Sequence, residues 1–142
     1  MKQLKTLIKY HQTQLDEKRL ALKDLLDQAD EIEQAITHLK AELVTQQALV
    51  TGDASMGFHY GTYAEGNKKK QEALGQKLVD MQPEIDAAEE EVREAYRELK
   101  KYEVTLERKE REAQAEADHR EQSFIDEVAS QKWHRKESSD EG

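Results

Sequence analysis

Stepping alternately by four and three residues from Leu4 gives Leu4, Ile8, His11, Leu15, Lys18, Leu22, Leu25, Ala29, Ile32, Ile36, Leu39, Leu43, Gln46 and Val50, and eleven of these fourteen are apolar. A repeat of about 3.5 residues held without a slip over such a length is the seam of a coiled coil, because a straight helix would carry the stripe around its axis. A second series reads Leu74, Leu78, Met81, Ile85, Ala88, Val92, Ala95, Leu99, Tyr102 and Leu106, apolar at all ten positions. Two seams in one chain predict two helices that cover each other.

The turn-formers say where the chain reverses. Five of the six glycines lie between Gly52 and Gly75, and the sixth is the last residue. Helix one is expected over about 2–51, closed by Thr51 and by Gly52 at the left-handed position that follows many helices. A connector is expected over 52–61, with Met56, Gly57, Phe58, His59 and Tyr60 in it. Helix two is expected from about 62 to 132, opened by a capping box in which the Thr62 hydroxyl and the Glu65 carboxylate satisfy each other's backbone donors. Pro83 falls on the outer side of the second seam, so it should bend helix two near Pro83 and free the Val79 carbonyl without removing a core side chain. The fold predicted is all-α: a single domain, 1–142, forming a long antiparallel two-helix coiled-coil hairpin with a longer C-terminal helix. Pairing from the turn exhausts helix one opposite roughly residue 110, about 75 Å of helix against about 105 Å at 1.5 Å per residue. Residues 113–132 then overhang without an internal partner, and 133–142 read as a disordered acidic tail.

Composition supports a thin structure. Hydrophobic residues are 36% and charged residues 37% of the chain, against roughly 45–50% and 25% in ordinary domains. Two narrow seams need little more. The formal charge of -9 disfavours nucleic acid and anionic bilayers, since phosphate binding needs clustered Lys and Arg. No cysteine is present, which excludes disulfides and thiolate chemistry. The first ten residues hold no apolar stretch of signal-peptide type, and no later segment approaches the ~18 apolar residues of a bilayer span. An untargeted, cytoplasmic chain with no direct membrane insertion is the expectation.

Catalysis is not expected. His11, His38, His59, His119 and His134 are isolated from one another and lack ligand spacing. His11 and Lys18 sit on the first seam, where a single polar residue commonly sets register. The connector has neither the spacing nor the preceding strand of a phosphate loop. Two helices offer no concave pocket of ~300 Å³ in which a reaction could exclude water. No catalytic, cofactor-binding or metal residue is assigned. Pairs such as Glu89 with Arg93, Glu107 with Arg111 and Glu116 with Arg120 add about 0.2–0.5 kcal/mol each to helix stability, and nothing to function.

Three features exceed what a spacer needs. Phe58, Tyr60 and Tyr63 lie within six positions in a protein of eight aromatic residues; they either tuck over the end of the hairpin or form an exposed anchor, with Lys68, Lys69 and Lys70 following. Tyr96, beside Ala95, Leu99 and Tyr102, reads as core packing. In the overhang, Phe124, Ile125 and Val128 form a stripe awaiting another protein, because a free helix of about 20 residues is marginal in water.

These segments also carry a resemblance. Leu4 to Leu26 with Gln14-Leu15-Asp16-Glu17-Lys18-Arg19, then Phe58-His59-Tyr60 with Tyr63-Ala64, then Arg97-Glu98-Leu99-Lys100-Lys101-Tyr102-Glu103, and Arg120-Glu121-Gln122 with Asp126-Glu127 resemble, in order and spacing, the flagellar export protein FliJ family, in its alphaproteobacterial branch. The resemblance implies the soluble, non-catalytic stalk of the flagellar type III export apparatus, similar to the central stalk of rotary ATPases. Such a stalk would bind the hexameric export ATPase, reach the cytoplasmic domain of the export gate membrane protein and assist export chaperones. It would be cytoplasmic, peripherally associated with the inner-membrane apparatus, and would serve flagellum assembly and motility. In a gamma-like arrangement the end bearing both termini enters the ring, implying ATPase contact at Leu4, Ile8, Phe124, Ile125 and Val128. Exposure and chemistry suggest gate contact at Phe58, Tyr60 and Tyr63. Two other readings fit the residues alone: a coiled-coil scaffold or cytoskeletal protein dimerising lengthwise, and a helical nucleic-acid-binding arm, which the acidity of helix two disfavours.

Overall fold

The computed structural model describes the backbone of residues 1–50 and 54–141 and the side chains of 1–50 and 57–139. Two helices account for it, α1 (Lys2–Val50) and α2 (Ala54–Glu141). Neither Gly nor Pro occurs in α1, so nothing in its backbone chemistry interrupts it. The helices pack against each other antiparallel, an all-α hairpin whose second helix is the longer.

Packing falls into two units, one of Gln12–Arg97 and one of Met1–His11 with Glu98–Gly142. In the first, the antiparallel register is read directly from cross-helix bonds. Asn67 Nδ2 donates to the Leu39 carbonyl at 2.9 Å, Tyr63 Oη donates to Glu42 Oε2 at 3.2 Å, and Lys18 pairs with Glu91 at 3.4 Å. Every seam position of α1 in this unit except Gln46 is buried or half-buried. On α2, Ile85 and Ala88 are buried and Leu74, Leu78, Met81, Val92 and Ala95 half-buried. In the second unit, Ile8 and Leu99 are buried, and His11 stacks on Tyr102 with ring centres 4.7 Å apart and planes at 18°. Two of the three polar residues on the first seam thus find a cross-helix partner, His11 an aromatic face and Lys18 a carboxylate.

Three boundaries differ from the sequence expectation. Residues 54–61, placed in the connector, are helical, so α2 starts about two turns earlier than Thr62. Thr62 is therefore no cap: its hydroxyl donates to the Phe58 carbonyl one turn back at 3.4 Å, and Glu65 pairs with Lys69 at 3.7 Å. The physical reason is that the second stripe does not stop at Leu74. Stepping back through Gln71, Asn67, Ala64, Tyr60 and Gly57, every position is buried or half-buried. Covering that stripe offsets the ~1 kcal/mol that each helical glycine costs against alanine. The role expected of Gly52 after helix one lies outside the described residues.

The other two differences concern the C-terminal end. Residues 107–139 are exposed without exception, so cover is lost after Leu106 and before Ala113. Continuing the heptad from Leu99, Tyr102 and Leu106 brings Lys109, Ala113, Glu116 and Arg120 to the facing side, and charged side chains there cannot close a seam. The tail is not disordered but helical to Glu141; between Pro83 and the final Gly142 no helix breaker occurs, and Gln131, Lys132, Arg135, Lys136 and Glu137 are strong helix formers. α2 also runs through Pro83. The carbonyl that Pro83 leaves without its N–H belongs to Val79, which is 64% exposed, so water can take the missing bond.

Candidate partner-binding surfaces

The first surface lies near the start of α2. A helix turns about 100° per residue, so helical geometry separates what a connector would have clustered. Phe58 and Tyr60 point roughly 160° apart, whereas Tyr60 and Tyr63 share a side within about 60°. Tyr60 is half-buried on the stripe facing α1, and Tyr63 is tied to Glu42, which also accepts from His38 Nε2 at 2.9 Å. Phe58 is 77% exposed, with the edge of the neighbouring His59 ring 6.0 Å from it. The three expected gate-contact residues thus do not form one patch. Two serve the packing of α2 on α1, and Phe58 is exposed to solvent. Open grooves flank this region, one lined by His38, Ala41, Glu42, Thr45, Gln46 and Tyr63, another by Thr62, Gly66, Asn67 and Lys70.

Asn67 is the structural centre of this region and is 3% exposed. Its amide donates to the Leu39 carbonyl while its oxygen accepts from Gln71 Nε2 at 2.6 Å, so both polar ends are satisfied inside the seam. From sequence this position reads as a weak end of the stripe; it is instead the polar residue that pins the register of α2 on α1.

The second surface belongs to the unit of Met1–His11 with Glu98–Gly142. Of the five residues expected at the ATPase, Ile8 is 8% exposed and Leu4 is half-buried; both are spent on the seam. Phe124 and Ile125 are 66% and 51% exposed, and Val128 is exposed with them. With Ala129 they lie within an arc of about 140° on α2. Trp133, two turns beyond Ile125 and 66% exposed, extends the apolar edge. The sequence reading missed Trp133 because it treated 133–142 as disordered; the spacing of four from Ala129 is the signal that a continued helix would have given. Tyr96, expected in the core, is exposed: it sits one residue off the stripe, and only Ala95 occupies it.

Charge on both surfaces is solvated. Of the expected i,i+4 pairs, Arg120 reaches Glu116 at 2.9 Å, while Arg93 turns instead to Glu90 at 2.9 Å. Lys23 is held above the usual lysine range by its hydrogen bond to Asp27 and that carboxylate's charge, a pair on the exposed side of α1 far in sequence from either surface. No group of three or more metal-ligating side chains occurs among the described residues, and no described helix is long and apolar enough to cross a membrane.

Two relatives described as "Flagellar FliJ protein", from the Caulobacter vibrioides strains NA1000 and CB 15, are each 30% identical over 100 residues, which is 70% of this chain and 70% of theirs. No solved structure matches the chain. The family model described as "Flagellar FliJ protein" matches residues 1–138, nearly the whole length, and on that match the chain belongs to the flagellar FliJ protein family.

Proposed function

We propose that the protein is a non-catalytic component of flagellar protein export that couples the export ATPase ring to the membrane export gate and assists export chaperones, in the cytoplasm at the inner-membrane apparatus. Family membership supports the export setting. The observation that carries the coupling role is the C-terminal part of α2, where every residue from 107 to 139 is exposed while Phe124, Ile125 and Val128 stand on one side. A helix that leaves such side chains in water gains by burying them against a second protein, at about 25 cal/mol per Å² of apolar surface covered. The ATPase contact is assigned to Phe124, Ile125 and Val128, with Leu4 and Ile8 on the seam holding α1 in place behind them. The gate contact is assigned to Phe58, with Tyr60 and Tyr63 fixing the helix that presents it.

The test is the triple substitution F124A/I125A/V128A in the full chain. Stimulation of the export ATPase should be lost while helical content stays unchanged, because none of the three is covered within the single chain. Undiminished stimulation would overturn the ATPase assignment. F58A should spare stimulation and weaken binding to the cytoplasmic domain of the gate protein, and unaltered gate binding would remove the gate assignment.

A further inference from the structure

The side of α2 that carries Phe124 and Ile125 has an ordered charge pattern. At about 100° per residue, residues 118–136 of that face present Asp118 and Glu121 before the apolar group Phe124, Ile125, Val128 and Ala129, and Lys132, Arg135 and Lys136 after it. All of these side chains are exposed. Read along the helix, the face runs acidic, apolar, basic. A surface of that kind is complementary to itself when inverted, and repels itself when aligned head to head.

We infer that two copies of this chain pair through residues 118–136 of α2, antiparallel, about a two-fold axis beside Val128. That axis puts Asp118 beside Lys136 of the partner copy and Glu121 beside Arg135, each pair occurring twice, as an isologous interface requires. Asp118 and Lys136 lie at the same angle around the helix, and Glu121 and Arg135 within about 40° of each other, so neither pair has to reach across the face. Between them Ile125 meets Ala129 of the partner copy, and Val128 meets its own symmetry mate. Parallel pairing would instead set Asp118 against Asp118 and Arg135 against Arg135. A lengthwise dimer through the heptad seam is a different structure, and the seam positions here are already covered within one chain. The pairing uses the stripe assigned above to the ATPase but does not rest on that assignment, because it concerns the free chain alone. If both hold, self-pairing and ATPase binding exclude each other.

The experiment is sedimentation of the full chain, without the ATPase, across the micromolar range at low and high salt. The expected result is a reversible change from the 16.4 kDa monomer to twice that mass, weakening as salt screens the four ion pairs. The reversal D118K/E121K should weaken pairing by roughly tenfold or more, since attractive pairs become repulsive. Adding R135E/K136E to the same chain should restore it. Circular dichroism checks that all variants keep their helical content. In the dimer, spin labels on S138C should lie about 30 Å apart, whereas a parallel pair would hold them at about 10 Å. A monomer at every concentration overturns the inference. So does a dimer indifferent to D118K/E121K, or one with the short label distance. Because ATPase stimulation is not measured, failure here leaves the export reading standing, and failure of F124A/I125A/V128A to alter stimulation leaves self-pairing standing.

Discussion

Gly61 decides between two descriptions of the chain reversal. In a connector over 52–61 it would be there for conformations that a side chain resists, and alanine would destabilise it. In α2 it is an interior helical residue, seven positions after Ala54 and so about two turns in. A methyl built on Gly61 meets nothing within 4 Å, and its backbone is not in the left-handed region; the same holds for Gly75. Alanine there loses nothing sterically and gains helix propensity, about 0.8–1 kcal/mol per site. The two positions are about 21 Å apart along the helix, so the gains should add, to about 2 kcal/mol in G61A/G75A. For a chain near this length that is roughly a 3 °C rise in Tm per substitution and about 6 °C for the pair. Thermal and urea unfolding followed at the helical band would measure both, with the urea slope unchanged. Gly75 serves as the internal standard, since it is helical in either description. If G75A raised the Tm and G61A lowered it, α2 would not extend back to Ala54 and the packing of Tyr60 and Ala64 on α1 would be refuted.

Asn67→Leu removes the buried polar residue of the seam, and such residues hold register at the expense of stability; the urea midpoint should rise while species larger than a dimer appear, and an unchanged distribution of species would deny Asn67 its register role. Leu99→Ala, at a buried seam position, should cost about 2–4 kcal/mol in the same unfolding assay. Ile125→Ala, at an exposed one, should stay within about 0.5 kcal/mol; equal losses would mean that the C-terminal part of α2 is packed in the free chain.

What could be read from sequence tracks how much of the physics is periodic. A stripe repeated at 3.5 residues is a collective signal, so Leu22, Ile36, Ile85 or Leu99 need not be recognised one by one, and the coverage of both seams follows from the repeat alone. Boundaries are decided by single competitions that the repeat does not encode. At the start of α2 the competition is between glycine's reluctance and the cover available to Tyr60, Ala64 and Asn67, and cover wins. Asn67 shows why the result is hard to foresee: a polar residue on the stripe looks like the end of the seam until its partner, the Leu39 carbonyl 28 residues earlier, is known. After Leu106 the competition runs the other way, because Lys109 and Glu116 take the facing positions and no partner segment remains.

The surfaces follow the same logic, with a consequence for which residues can act on a partner. A residue chosen from sequence because it is large and apolar is as apt to be spent on the fold as to be free for binding. Ile8 and Tyr60 are spent; Phe124, Ile125 and Phe58 are not. The distinction is phase rather than hydrophobicity: Ile8 and Tyr60 keep the 3.5-residue register of their helices, while Phe124 falls out of the register that ends at Leu106. Leaving the register removes an apolar side chain from the intramolecular competition without removing its tendency to be buried. In a chain whose core is a single stripe per helix, the apolar residues that break phase are therefore the ones left for another molecule, and on α2 they sit between an acidic and a basic segment that restrict which molecules, and which orientation, can cover them.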